Sequence, residues 1–120
     1  MRHPTRRPRK VIHLPAEFTG LTVLTATRGE GYTVDLSATG CRIESDTPME
    51  AGKLLSLRMD LSLDQRHRSP VAIPVGRVRW SRHGMFGVEF VKLAPRDRLR
   101  LLEFVNRLVQ EEDKKKSGAT

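Results

Sequence analysis

The chain has 120 residues, enough for one domain with a modest core that needs no covalent staples. Its single cysteine, Cys41, excludes an intramolecular disulfide, and aromatic residues at 5% leave the core to Leu, Val, Ile and Met. A formal net charge of +8 favours an anionic partner, while no apolar run is long enough to span a membrane and no signal-peptide core follows the basic N-terminus. The expectation is a soluble, cytoplasmic protein.

Residues 1–10 concentrate the excess charge. Arg2, Arg6, Arg7, Arg9 and Lys10 face no acidic residue, and Pro4 and Pro8 disfavour a helix, so this stretch reads as a basic, flexible arm that a ligand or partner orders. Val11, Ile12, Leu14 and Phe18 begin the sheet, with Pro15 pointing to an edge or bulged strand. Leu21 to Thr27, rich in β-branched and apolar residues, predicts a strand. Gly29-Glu30-Gly31 predicts its hairpin turn, and Tyr32 to Leu36 the return.

The next strand spans Cys41 to Glu44, where Cys41 occupies an apolar position and reads as core. Leu55, Leu57, Met59, Leu61 and Leu63 alternate with polar residues, the cleanest one-sided strand of the chain. Asp64 to Pro70, with Arg66, His67 and Arg68, is a polar, basic loop. Val71 to Trp80 predicts a long strand bent or bulged at Gly76. Ser81-Arg82-His83-Gly84 turns it into Met85 to Val91. Pro95 can open a helix. Beyond it Leu101, Leu102, Val105, Leu108 and Val109 recur at helical spacing on one face. Residues 111–120 form a polar, frayed tail. Short antiparallel strands closed by one amphipathic helix predict a small barrel or sandwich, spanning residues 11–110.

Assembled chemistry is hard to find. His3, His13, His67 and His83 are not spaced as metal pairs, no serine is tied to a histidine and an acid, and no glycine-rich phosphate loop leads into a helix. The expectation is a protein that is not an enzyme and carries no cofactor or metal.

Asp35-Leu36-Ser37-Ala38-Thr39-Gly40 lies between two alternating stretches, Tyr32 and Val34 before it and Cys41 and Ile43 after it. Taken alone it is a turn, built from the residues turns favour. Asp35 and Ser37 project from one face of an extended segment, and Gly40 admits close backbone approach. Arginine forks suit phosphates and the guanine edge, and a carboxylate accepts from guanine. An arginine arm beside an Asp/Ser corner is therefore chemically suited to a phosphorylated guanine nucleotide.

With these residues in place, the chain resembles the PilZ domain family, bacterial receptors for the second messenger cyclic di-GMP. The family's motifs are an N-terminal RxxxR and a later [D/N]xSxxG. Residues 35–40 match the second in full. Gly76-Arg77-Val78-Arg79-Trp80-Ser81-Arg82 followed by Gly87-Val88-Glu89-Phe90 is similar to the family's last hairpin. The resemblance implies a mainly β fold, a six-stranded antiparallel β-barrel with a C-terminal α-helix. It also implies an arm that wraps the dinucleotide against Asp35, Ser37 and Gly40.

The arm departs from the motif. The literal RxxxR is Arg2-His3-Pro4-Thr5-Arg6. Counting back from Leu14-Pro15 places the second arginine on Arg9 and Thr5 in first position, and Arg6 to Lys10 offers a third register with lysine second. Arg6 and Arg9 are the principal expected contacts, and Arg2, Arg7, Lys10 and Trp80 possible ones. The implied role is a non-catalytic receptor or adaptor that switches a surface read by a partner protein. No specific nucleic acid and no membrane insertion are expected. The alternative is a PilZ-like interaction domain that has lost the dinucleotide.

Overall fold

The alternation of Leu55, Leu57 and Met59 with Ser56, Arg58 and Asp60 forms a strand whose apolar set is fully buried, and the other strands repeat this inside–outside rule. A computed structural model describes residues 10–21, 27–62 and 68–118, with side chains from Val11 to Gln110. In chain order these residues form β1 (Lys10–Val11), β2 (Pro15–Gly20), β3 (Arg28–Leu36), β4 (Gly40–Ser45), β5 (Leu54–Asp60), β6 (Pro70–Arg82), β7 (Met85–Lys92) and α1 (Pro95–Gly118).

All pairings are antiparallel. Six strands run β3-β2-β5-β6-β7-β4, and the β3–β4 pairing closes them into the expected six-stranded barrel. Closure removes the sheet edges that a strand pair would otherwise expose. The short β1 adds to β3 from outside this ring. Inside, Phe18 and Phe86 meet edge to face at 5.1 Å, surrounded by Leu36, Ile43, Leu55, Ile73 and Val78. Cys41 is buried among them.

The helix caps this core with Leu101, Phe104 and Val105. Its N-terminal part is tied to the barrel by Arg100, whose Nη1 donates to Pro70 O at 2.9 Å and lies 3.0 Å from Asp97 Oδ1. Ser69 at the same junction donates its backbone N–H to Asp60 Oδ1 at 2.7 Å. The backbone stays helical to Gly118, taking in most of the polar tail read from residue 111 onward.

Two local expectations are corrected. Gly29-Glu30-Gly31 is not a turn but the first half of β3, paired with Phe18, Glu17 and Ala16. Its glycines answer crowding across strands. A Cβ on Gly29 would come 2.5 Å from the Phe18 ring, and one on Gly31 would overlap the Glu44 carbonyl oxygen where β3 meets β4. The chain reverses earlier, where Gly20 N donates to Thr27 O at 2.6 Å. Residues 22–26 of the expected Leu21–Thr27 strand lie outside the described residues, as do residues 63–67 of the basic loop.

Pro15 does not mark an edge, because β2 pairs with β3 on one side and β5 on the other. It takes the first position of the strand, where its missing N–H costs no ladder bond. The bulge at Gly76 is present, and the β6–β7 turn uses positive φ at His83 (47°) and Gly84 (76°), the two-residue reversal that matches strand twist.

Candidate functional site

The corner between β3 and β4 is closed by its own polar groups. Ser37 N donates to Gly40 O at 2.9 Å, and Ser37 Oγ lies 3.2 Å from the same oxygen while accepting from Thr39 N at 3.2 Å. Thr39 O in turn accepts from Phe90 N at 2.9 Å, fixing the corner to β7. Gly40 packs against that strand so closely that a Cβ would lie 2.5 Å from Val88 O. Ser37 and Gly40 thus shape the corner.

Asp35 does something different. β3 carries a bulge between Thr33 and Asp35. Thr33 faces the core opposite Ile43, Leu36 faces it opposite Cys41, and Asp35 points outward opposite Arg42. The Arg42 guanidinium grips one carboxylate oxygen, with Nε at 2.6 Å and Nη2 at 2.5 Å from Asp35 Oδ2. Asp35's side chain is 2% exposed and Arg42's 38%, so the cation is the solvent-facing member. Charge-assisted bonds of this kind are about twice as strong as neutral ones.

The bulge also frees Thr33 to hold the chain that leads from β1 to β2. Its buried hydroxyl accepts from Leu14 N at 2.9 Å and donates to Ile12 O, while Thr33 N donates to Leu14 O at 2.9 Å. β1 itself pairs Lys10 with Leu36 and Val11 with Asp35, which sets the start of β1 beside the corner.

Following the register outward gives a transverse row across four strands: Asp35, Arg42, Gly87 and Trp80. The half-buried Trp80 lies over Gly87, where any Cβ would collide with the indole. The neighbouring row runs Gly40, Glu89, Arg77, with Arg79 Nη1 3.5 Å from Glu89 Oε1. The result is an outer face edged by arginines and an indole, with a carboxylate at one end.

The family model of the PilZ domain matches residues 5–107, which hold this corner, this face and the first half of the helix. The chain belongs to the PilZ domain family. Among solved structures it is similar to the Bacillus subtilis inhibitor of motility, MotI/DgrA. That match has a TM-score of 0.66 at 18% identity, covering 92% of this chain and 53% of that one. The chain therefore spans about half the length of that protein. It is also similar to the PilZ domain of CeSA from a cellulose-synthesizing bacterium, with a TM-score of 0.56 at 16% identity, covering 88% of this chain and 97% of that one. At these identities the likeness is one of fold. No curated protein matches the chain at a significant level.

On this PilZ barrel the structure brings Asp35, Ser37 and Gly40 together at one corner and sets Trp80 on the same outer face as Asp35. Lys10 is the last arm residue and belongs to β1. Arg2, Arg6, Arg7 and Arg9 lie outside the described residues. Sequence reasoning missed Arg42 and Thr33. Arg42 was within reach, because a hairpin turning at residues 37–40 sets 36 against 41 and 35 against 42, an opposite-charge pair. Thr33 had no local signal, since its partners lie about twenty residues earlier. A separate groove of about 1160 Å³ opens over the outer side of β2, β3 and β5, lined by His13, Glu17, Glu30, Tyr32, Arg58 and Asp60 among others, and contains no motif residue. Among the described residues no helix is long and apolar enough to cross a membrane.

Proposed function

We propose that this PilZ domain is a cytoplasmic cyclic di-GMP receptor without catalysis of its own, in which the basic arm and the 35–40 corner hold the dinucleotide from two sides. The supporting observation is adjacency. Lys10 and Val11 pair with Leu36 and Asp35, so the arginine-rich stretch joins the barrel at the motif itself.

In this reading Arg6 and Arg9 supply planar forks for phosphate and guanine, with Arg2, Arg7 and Lys10 adding positive charge. The Asp35 carboxylate accepts from guanine N–H groups. Ser37 and Gly40 keep the corner tight, and Trp80 offers an apolar, stackable surface along the same row. Holding the arm against the barrel changes the surface presented to a downstream partner protein, a population shift driven by the ligand's preference for the closed form.

Calorimetric titration of cyclic di-GMP into the full chain, beside Asp35→Ala and Arg9→Ala, tests this. Saturable binding that both variants lose is the expected result. Unchanged affinity in both overturns the assignment of the site. Absence of heat with the unaltered chain returns the alternative, a PilZ interaction domain that works through protein contacts alone.

A further inference from the structure

We infer that Arg42 is a selector for guanine: it caps Asp35 until a base arrives that satisfies both members of the ion pair. The inference rests on the cyclic di-GMP reading and deepens it.

Three observations carry it. Both Arg42–Asp35 contacts converge on Oδ2, and the third guanidinium nitrogen, Nη1, takes no part in them. Asp35 is 2% exposed beneath a cation that is 38% exposed, so an incoming base meets Arg42 first. Opposite Arg42 on β7 stands Gly87, and the space over it is filled by the Trp80 indole, so Arg42 has an aromatic flank on the outer face. A flat ring that reaches Arg42 can therefore stack beside that indole.

Reaching the carboxylate means loosening the guanidinium from it. A buried carboxylate stripped of its partner is costly, so the exchange proceeds only when the newcomer replaces what is lost. Guanine does so on one edge. Its N1–H and N2–H donate to the carboxylate, and the adjacent O6 accepts from the displaced guanidinium. Adenine presents the reverse pattern, with an N1 lone pair facing the carboxylate and an N6 amino group facing the cation. Both contacts are then repulsive. Arg42 is thus a specificity residue, distinct in role from the phosphate-holding arginines of the arm.

The test compares affinities for cyclic di-GMP and cyclic di-AMP in the full chain, Arg42→Met and Arg42→Lys, with urea unfolding midpoints to verify the fold. A hydrogen bond from a charged group, such as the guanidinium to O6, is worth about 10- to 100-fold. The expected outcome is a fall of that size in the di-GMP over di-AMP affinity ratio for Arg42→Met. Arg42→Lys, a point charge without the fork, falls in between. A folded Arg42→Met that keeps the ratio, or that loses both dinucleotides alike, overturns the selector role and leaves the receptor reading standing. An unaltered chain that binds neither dinucleotide removes the receptor reading and this inference with it.

Discussion

Thr33 shows how much one hydroxyl can organise. At the bulge its side chain bridges Ile12 O and Leu14 N, two backbone groups that have no regular strand partner on that side. Replacing it by isosteric Val leaves both unsatisfied in a buried setting. Thr33→Val should cost about 1–3 kcal/mol in urea unfolding, far more than its change in volume predicts. Gly87 works by subtraction. Gly87→Ala places a methyl group where the Trp80 indole lies, and the indole must move. The motif residues Asp35, Ser37 and Gly40 were legible in the sequence because their spacing is local. The partnership of Asp35 with Arg42 follows from the register of the local hairpin, whereas Thr33's contacts depend on where β3 meets the chain between β1 and β2.

At the scale of elements, the helix separates packing from periodicity. Leu101 and Leu102 are both apolar and adjacent, yet Leu101 is fully buried and Leu102 is 42% exposed. Leu101→Ala should destabilise the domain by about 2–4 kcal/mol, because it leaves a cavity between helix and barrel. Leu102→Ala should fall within about 0.5 kcal/mol of the unaltered chain. Paired denaturation curves check both, and equal losses would contradict this placement of the helix. The helix was readable from its 3.6-residue period, and β5 from its alternation. The Gly29–Gly31 segment was misread because glycine serves two ends: it permits turns, and it also permits another backbone or ring to come close. Composition cannot distinguish these. The Glu44 carbonyl against Gly31 and the Phe18 ring against Gly29 decide in favour of the second.

For the molecule as a whole, the closed ring binds the candidate site to global stability. The corner hangs on β3, β4 and β7, and β3 is also the strand that closes the barrel on β4. A ligand that binds only the folded state therefore stabilises the entire domain, by about 2.7 kcal/mol at a concentration one hundred times Kd. Thermal unfolding with cyclic di-GMP should show a raised midpoint for the unaltered chain and none for Asp35→Ala. The barrel and its terminal helix were foreseeable from strand spacing and family resemblance together. Composition and charge alone gave only an anionic partner, because a +8 surplus says nothing about which face carries it.

Trp80 is the single tryptophan of the chain, and it lies half-buried over Gly87 in the row that begins at Asp35. The protein consequently carries its own optical reporter. Indole emission responds to water and to stacked rings, and here every photon comes from one known place on the barrel. A ring that settled beside Arg42 would be readable from unlabelled protein in solution, with no dye to perturb the surface.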